Sequence, residues 1–158
     1  MLSSVKPLLD LARDEDRHMQ ARLASEPVIW LATVTPTGAP RSVPVWFSWD
    51  DPAVVVFSGR GAQKLRNLAR NPSVWLTLNA SEGGTDVVML EGTGELADPT
   101  ELRAATTPGF AEKYRPLLGD QTIEEWSTAF SEPIRIMIQR VIGWTKPAGQ
   151  LRYRSIPS

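Results

Sequence analysis

The chain predicts a mainly β fold of the α+β class, with antiparallel strands and flanking helices, and three observations carry that expectation. Four segments rich in β-branched and aromatic residues follow one another: VIWLATVT (28–35), PRSVPVWFSW (40–49), AVVVFS (53–58) and SVWLTLN (73–79). The turn signals Pro36-Thr37-Gly38 and Asp50-Asp51-Pro52 separate them as hairpins would. Much later, PIRIMIQRVIGW alternates Ile134, Ile136 and Ile138 against Arg135, Met137 and Gln139, the period of a strand with one dry and one mixed face.

Taken in order, residues 6–25 place Leu8, Ala12, Met19 and Leu23 on one stripe with Asp, Glu and Arg opposite, so residues 1–26 are expected as an amphipathic N-terminal helix. The first strand is apolar on both faces, Val28, Trp30, Ala32 and Val34 against Ile29 and Leu31. It is expected to be buried on both sides, in a closed barrel or beneath a partner subunit. A short helix at 62–71, with Leu65, Leu68 and Ala69 on one face, interrupts the strands. TDVVMLEGTGELA then reads as a long strand in which Gly92 and Gly94 mark a bulge or a close backbone approach. Asp98-Pro99-Thr100-Glu101 and Thr122-Ile123-Glu124-Glu125 resemble capping boxes, so helices are expected to start at each, within an insert over about 98–132 that Pro133 ends. The tail, 145–158, is expected to be irregular, and 158 residues with 42% hydrophobic content fit one domain.

Composition narrows the chemistry. A net charge of −1 leaves no electrostatic footprint for nucleic acid or an anionic membrane. The longest apolar run, Val28 to Val34, is far short of the ~20 residues of a membrane span, and the expectation is a soluble, unprocessed, cytoplasmic protein. The absence of cysteine fits a reducing compartment and removes thiolate nucleophiles and zinc clusters. The one histidine, His18, sits on the polar N-terminal helix and is expected to be a solvated surface residue, which disfavours Ser-His-Asp hydrolysis. The acidic pairs Asp50-Asp51 and Glu124-Glu125 read as turn and helix-start residues, so no metal is expected. No catalytic side chain stands out, and any reactive group is expected to arrive as an organic cofactor.

Two local features suit such a cofactor. In SGRGAQKLRNLARNP (58–72), Ser58, the glycine-flanked Arg60 and Lys64 surround the start of a helix that follows a strand directly. Cations there oppose the helix dipole, but a hydroxyl, backbone N–H groups and point charges together can grip a phosphate. The alternative is a set of solvated surface charges; no nucleotide-binding glycine fingerprint is present. The second feature is Pro44 inside RSVPVWFSW, which argues for an edge strand. Free N–H and C=O groups on such a strand can meet the rim of a heteroaromatic ring, with Val43 and Val45 as apolar supports; a plain edge strand is the alternative.

With these features in place, the chain resembles the pyridoxamine-phosphate-oxidase-like split-barrel family, in its branch of deazaflavin-dependent (coenzyme F420) enzymes. The resemblance rests on VIWLATVTPTGAPRSVPVWFSWD, VVVFSGRGAQKLRNLARNPSVWLTLN, GGTDVVMLEGTGEL, FAEKYRPLL and PIRIMIQRVIGW, in that order, and covers most of residues 27–144. It implies an FMN-binding-type split β-barrel over 27–144 with Greek-key strands, working as a homodimer with a cofactor in each of two interface clefts. It further implies that the backbone of Val43, Pro44 and Val45 meets the ring system, that Phe57 and Ser58 line the ribityl side, that Lys64 binds the phosphate and that Asn67 orders the same helix. Trp46 is expected to line the cleft or the dimer seam. The sequence departs from B6-oxidising members in having Ala62-Gln63-Lys64 where they have Ser-Arg-Lys, and in lacking a histidine near the C-terminus. Vitamin B6 chemistry is therefore not expected, and Arg60 is assigned as a replacement phosphate contact.

The implied activity is an F420(H2)-dependent oxidoreductase acting on a small organic acceptor; the alternatives are an FMN-dependent flavoprotein of the same fold and a non-catalytic carrier. F420 bears an anionic tail beyond its phosphate, for which Arg66, Lys113, Arg115, Arg152 and Arg154 are candidate cations, whereas FMN needs only the phosphate clamp. Trp30 and Trp75 are expected in the core, Trp46 and Trp49 on opposite faces of one strand, Trp126 in packing, and Tyr114 on a helix surface.

Overall fold

A computed structural model of the chain describes residues 5–145 and 152–157. Helix α1 (Asp14–Ser25) precedes five strands, β1 (Ile29–Val34), β2 (Pro40–Val45), β3 (Phe47–Asp50), β4 (Ala53–Ser58) and β5 (Ser73–Leu78), with α2 (Gln63–Arg70) between β4 and β5. Strand β6 (Val87–Leu96), helices α3 (Phe110–Leu118) and α4 (Ile123–Ala129), and strands β7 (Glu132–Thr145) and β8 (Arg152–Pro157) complete the order. All pairings are antiparallel, in the order β2-β1-β5-β6-β7-β4-β3, with β8 added to β7.

That order carries the geometry. Strands β2 and β3 stand at the two ends of the sheet, yet only Trp46 separates them in the chain. Two peptide steps span roughly 7 Å, so the sheet must curl until its edges meet at Trp46. The result is a half-barrel with flanking helices, a split barrel of the expected type. The single strand expected at 40–49 is therefore two strands, broken at the residue that turns the corner.

The curl makes two cores. Inside it, Ile29, Leu31, Phe47, Val54, Val56, Leu76, Leu90, Ile134 and Ile136 are buried together with Leu23 of α1. Outside it, Phe57 packs with Ala104, Phe110, Tyr114 and Trp126 of the insert. Strand β4 is thus buried on both faces, Val54 and Val56 inward and Phe57 toward α3 and α4. Strand β1, for which that was expected, is buried on one face only: Trp30 is 41% exposed because, among the described residues, no element covers its side. Its indole N–H donates to Asn79 Oδ1 at 2.9 Å, so Trp30 is not a core residue. Trp75 is half-buried, its ring N–H on Thr77 Oγ1.

Other expectations are corrected by local hydrogen bonding. Helix α1 begins at Asp14 rather than near residue 6, because the N–H groups of Leu8 and Leu9 donate to the Asp51 carboxylate, both at 2.8 Å. No helix starts at Asp98: its carboxylate accepts from the Thr100 amide and hydroxyl at 2.7 and 2.6 Å, closing an isolated turn. Helix α3 starts instead at Phe110, after Gly109 at φ 74°, and buries Phe110 and Tyr114 one turn apart. The Thr122 capping box forms as expected, with Thr122 Oγ1 accepting from the Glu125 amide and the Glu125 carboxylate accepting from the Thr122 amide. Gly92 does mark a bulge: pairing shifts between Glu91 and Gly92, and a Cβ on Gly92 would stand 2.5 Å from the Met137 carbonyl oxygen. The tail is not wholly irregular, since β8 pairs with residues 140–145 of β7; residues 146–151 and 158 lie outside the described residues. No described helix is long and apolar enough to cross a membrane.

Candidate functional site

The corner that closes the curl also opens a cleft. Pro44, Val45 and Trp46 at the end of β2, Val28 ahead of β1, Phe57 of β4, Lys64 of α2, Trp126 of α4 and Phe130, which caps α4, surround a volume of about 410 Å³. Each element has a reason to be there. Strand β2 is an edge, so half of the backbone groups of Val43–Val45 face away from β1, and Pro44 sits where no donor is needed. Helix α2 is tied down beneath the cleft by Asn67, fully buried, whose amide donates to Thr33 Oγ1 at 2.9 Å and accepts from Gln63 at 2.8 Å. That tether sets the direction of Lys64, one turn earlier.

One wall is a column of rings. Trp46 stacks on Tyr114 at 4.3 Å between centroids and 4° between planes, and on Trp126 at 5.2 Å and 11°; Trp126 stacks in turn on Phe130 at 4.5 Å. Its inner end is anchored. The Tyr114 hydroxyl accepts from the Phe47 amide at 2.7 Å and lies 2.9 Å from the carbonyls of Pro27 and Phe47, with burial holding its pKa above the ordinary tyrosine value. Tyr114 is therefore a core residue, fully buried, and not on a helix surface. Its outer end, Phe130, is 39% exposed. Trp49, on the opposite parity, packs into the inner core and donates to Gln20, as its separation from Trp46 requires.

The polar end of the cleft is Lys64. Its ammonium lies 3.1 Å from Ser58 Oγ, and partial burial lowers its pKa from the usual lysine value by desolvation. Among the described residues no carboxylate lies within ion-pair distance of it. A half-dehydrated cation held only by a hydroxyl is an anion site in waiting. The residues present thus fit a flat cofactor with a phosphate: apolar and aromatic walls, a free strand edge, and one cation at the end.

Of the residues expected from sequence, Pro44, Val45, Trp46, Phe57 and Lys64 line this cleft, with Ser58 directly beneath Lys64. Val43 lies on the same edge strand, 38% exposed, and Asn67 acts from below. Arg60 is not brought to Lys64; it is 85% exposed, pairs with Glu132 at 3.3 Å and lines a neighbouring cleft. Arg66 folds back onto the Gly61 carbonyl at 2.5 Å and Gln63 at 2.7 Å, and Lys113 reaches the carbonyls of Leu23 and Phe47, so neither points a free cation at Lys64. Of Arg152 and Arg154, only the place of their backbone on β8 is described. His18 is not simply solvated: its Nε2 lies 2.8 Å from Asp86 Oδ2, which also takes Arg22 on its other oxygen. Val28, Trp126 and Phe130 were not expected as cleft residues, Trp126 being expected only in packing. The four-residue spacing of Trp126 and Phe130 behind a capping box was the available signal, since it puts both rings on one helix face.

The family model for pyridoxamine 5'-phosphate oxidase matches residues 16–133. Among solved structures, an F420 reductase is 26% identical with a TM-score of 0.55, the match covering 73% of this chain and 88% of that one. HupZ of Group A Streptococcus is 15% identical over 85% of this chain and 97% of that one, at a TM-score of 0.56. A heme-binding protein from Mycobacterium smegmatis is 21% identical over 86% of this chain and 56% of that one, also at 0.56. Comparison with curated protein sequences found no match.

Proposed function

The chain belongs to the pyridoxamine 5'-phosphate oxidase family, and from that premise we propose that it is an F420-dependent oxidoreductase acting on a small organic acceptor. The observation that carries this reading is Lys64: a half-buried ammonium with Ser58 as its one partner among the described residues, at the end of an aromatic cleft beside a free strand edge. The likeness to an F420 reductase supports the choice of cofactor. When bound, the deazaflavin supplies hydride transfer. The protein's own residues hold and orient: Lys64 and Ser58 take the phosphate, the outward backbone groups of Val43–Val45 meet the ring edge, and Trp46, Phe57 and Trp126 keep water from its flank. No side chain is assigned as acid or base.

One observation favours FMN as a second reading. Among the described residues Lys64 is the only cation lining the cleft, which suffices for a phosphate but leaves an anionic tail without a counter-charge from them. A haem is disfavoured by the position of the chain's one histidine, His18, which is bonded to Asp86 away from the cleft. A second copy of the chain is proposed to cover the exposed Trp30 and Val43 on β1 and β2, and the setting is proposed to be cytoplasmic.

The test is a fluorescence titration of the purified protein with F420 and FMN in parallel, repeated on Lys64→Ala. Tighter binding of F420, weakened by at least ~1.5 kcal/mol (roughly tenfold) in the variant, is the expected result. Preference for FMN moves the protein to the second reading, and an unchanged dissociation constant in Lys64→Ala removes Lys64 from the site.

A further inference from the structure

Beside the first cleft lies a second, of about 370 Å³, where the loop after β6 and helix α4 pass the end of β4. That volume is in the range of small-molecule sites. Phe57 and Phe130 line both clefts, so the two adjoin at these rings. The interior is continued by Leu102, while Arg60, Arg103 and Glu124 stand around it, two positive charges against one negative. Neither guanidinium is firmly engaged. The Arg60 pair with Glu132 is solvent-exposed, and pairs of that kind contribute little and exchange readily. Arg103 reaches only the Pro99 carbonyl, at 3.4 Å, and among the described residues it has no carboxylate partner.

We propose that this second cleft seats the organic acceptor and that the acceptor is an apolar molecule carrying a carboxylate. Its body lies on Leu102 and reaches past Phe57 and Phe130, where the clefts adjoin, to the occupant of the first cleft, and its carboxylate pairs with Arg60 and Arg103. The inference rests on the reading of the first cleft as the cofactor site.

The probes are 1-naphthylacetate and its neutral counterpart 1-naphthylacetamide, titrated by calorimetry into the protein saturated with whichever of F420 or FMN it binds. The acetate is expected to bind about tenfold tighter than the amide, without displacing the cofactor. Arg60→Ala and Arg103→Ala, at exposed positions, each reduce acetate affinity severalfold and leave the amide unchanged. Ala105→Trp, which fills the second cleft from an exposed position, abolishes binding of both probes and leaves the cofactor dissociation constant as in the native protein. Equal affinities, displacement of the cofactor, or a preference that survives both arginine substitutions overturns the proposal. So does failure of both probes to bind while cofactor affinity stays intact, with the cofactor reading left standing. Arginine-dependent acetate binding by a protein that takes neither cofactor overturns the acceptor assignment through the cofactor reading instead.

Discussion

Replacing Tyr114 by Phe removes one oxygen from the inner end of the ring column and leaves the ring itself in place against Trp46. That oxygen accepts the Phe47 N–H at 2.7 Å and gives its own proton to one of two carbonyls, those of Pro27 and Phe47, both at 2.9 Å. Phe47 lies on β3, an edge of the sheet, so no further strand is available to take over its amide. The amide is left buried and unpaired. The desolvation penalty of such a group, about 1–3 kcal/mol, dominates, because the carbonyls keep other lone-pair options. We expect a loss of about 2 kcal/mol, which for a domain of this size lowers Tm by roughly 4–8 °C. Urea denaturation followed by tryptophan fluorescence and circular dichroism measures it, with an unchanged slope showing that the denatured state is the same. A second signature is pH-dependent. Because burial raises the Tyr114 pKa above its ordinary 10.0, the folded state holds that proton after the unfolded state has lost it, so native stability falls as pH rises beyond 10. In Tyr114→Phe that part of the fall is absent. A variant within ~0.5 kcal/mol of native would refute the argument that the hydroxyl anchors the column.

Three further outcomes rest on the same geometry. Asn67→Ala strips the tether between α2 and β1 and strands Thr33 Oγ1, so it should cost about 2 kcal/mol in denaturant unfolding and also weaken cofactor binding, since α2 carries Lys64. Gly92→Ala should destabilise by about 2–3 kcal/mol because its Cβ meets backbone, 2.5 Å from the Met137 oxygen, whereas the one tight contact of Gly94→Ala is the end of the Leu68 side chain at 3.0 Å, so it should cost much less; equal losses in thermal melts would contradict the assignment of the bulge. Lys113 has its pKa pulled down to about 8 by burial, so the unfolded chain binds more protons between there and the ordinary lysine value, and native stability should rise with pH from about 8 to 10. Lys113→Met should flatten that rise, read from urea midpoints across the range.

Much of the site was legible before the fold was known, and the residues explain why. The edge character of the Pro44 strand comes from a missing donor, the α2 face from the spacing of Leu65 and Leu68, and the Thr122 capping box from side chains three residues apart. Ser58 and Lys64 converge because only a tight turn over 59–62, with the Ala62 N–H on the Gly59 carbonyl and Gly61 at φ 71°, links β4 to α2. Asp98 shows the limit of such reading: the same local chemistry that caps a helix also closes a bare turn, and the packing of the residues downstream decides between them.

The sequence by itself determined β1, β4, β5, β6 and β7, the apolar face of α2 and the nearness of Ser58 and Lys64, because each depends on residues a few positions apart. The tertiary structure alone decided that β2 and β3 part to opposite edges of one sheet, that Tyr114 is an anchor, that Arg60 turns to Glu132, and that β8 pairs with β7. Two of these are contacts across many residues, 67 in the case of Tyr114 and Phe47 and 72 in that of Arg60 and Glu132. Periodicity tells a side chain which way to face, but the identity of what it meets depends on how the sheet closes, and that closure is a property of all the strands at once.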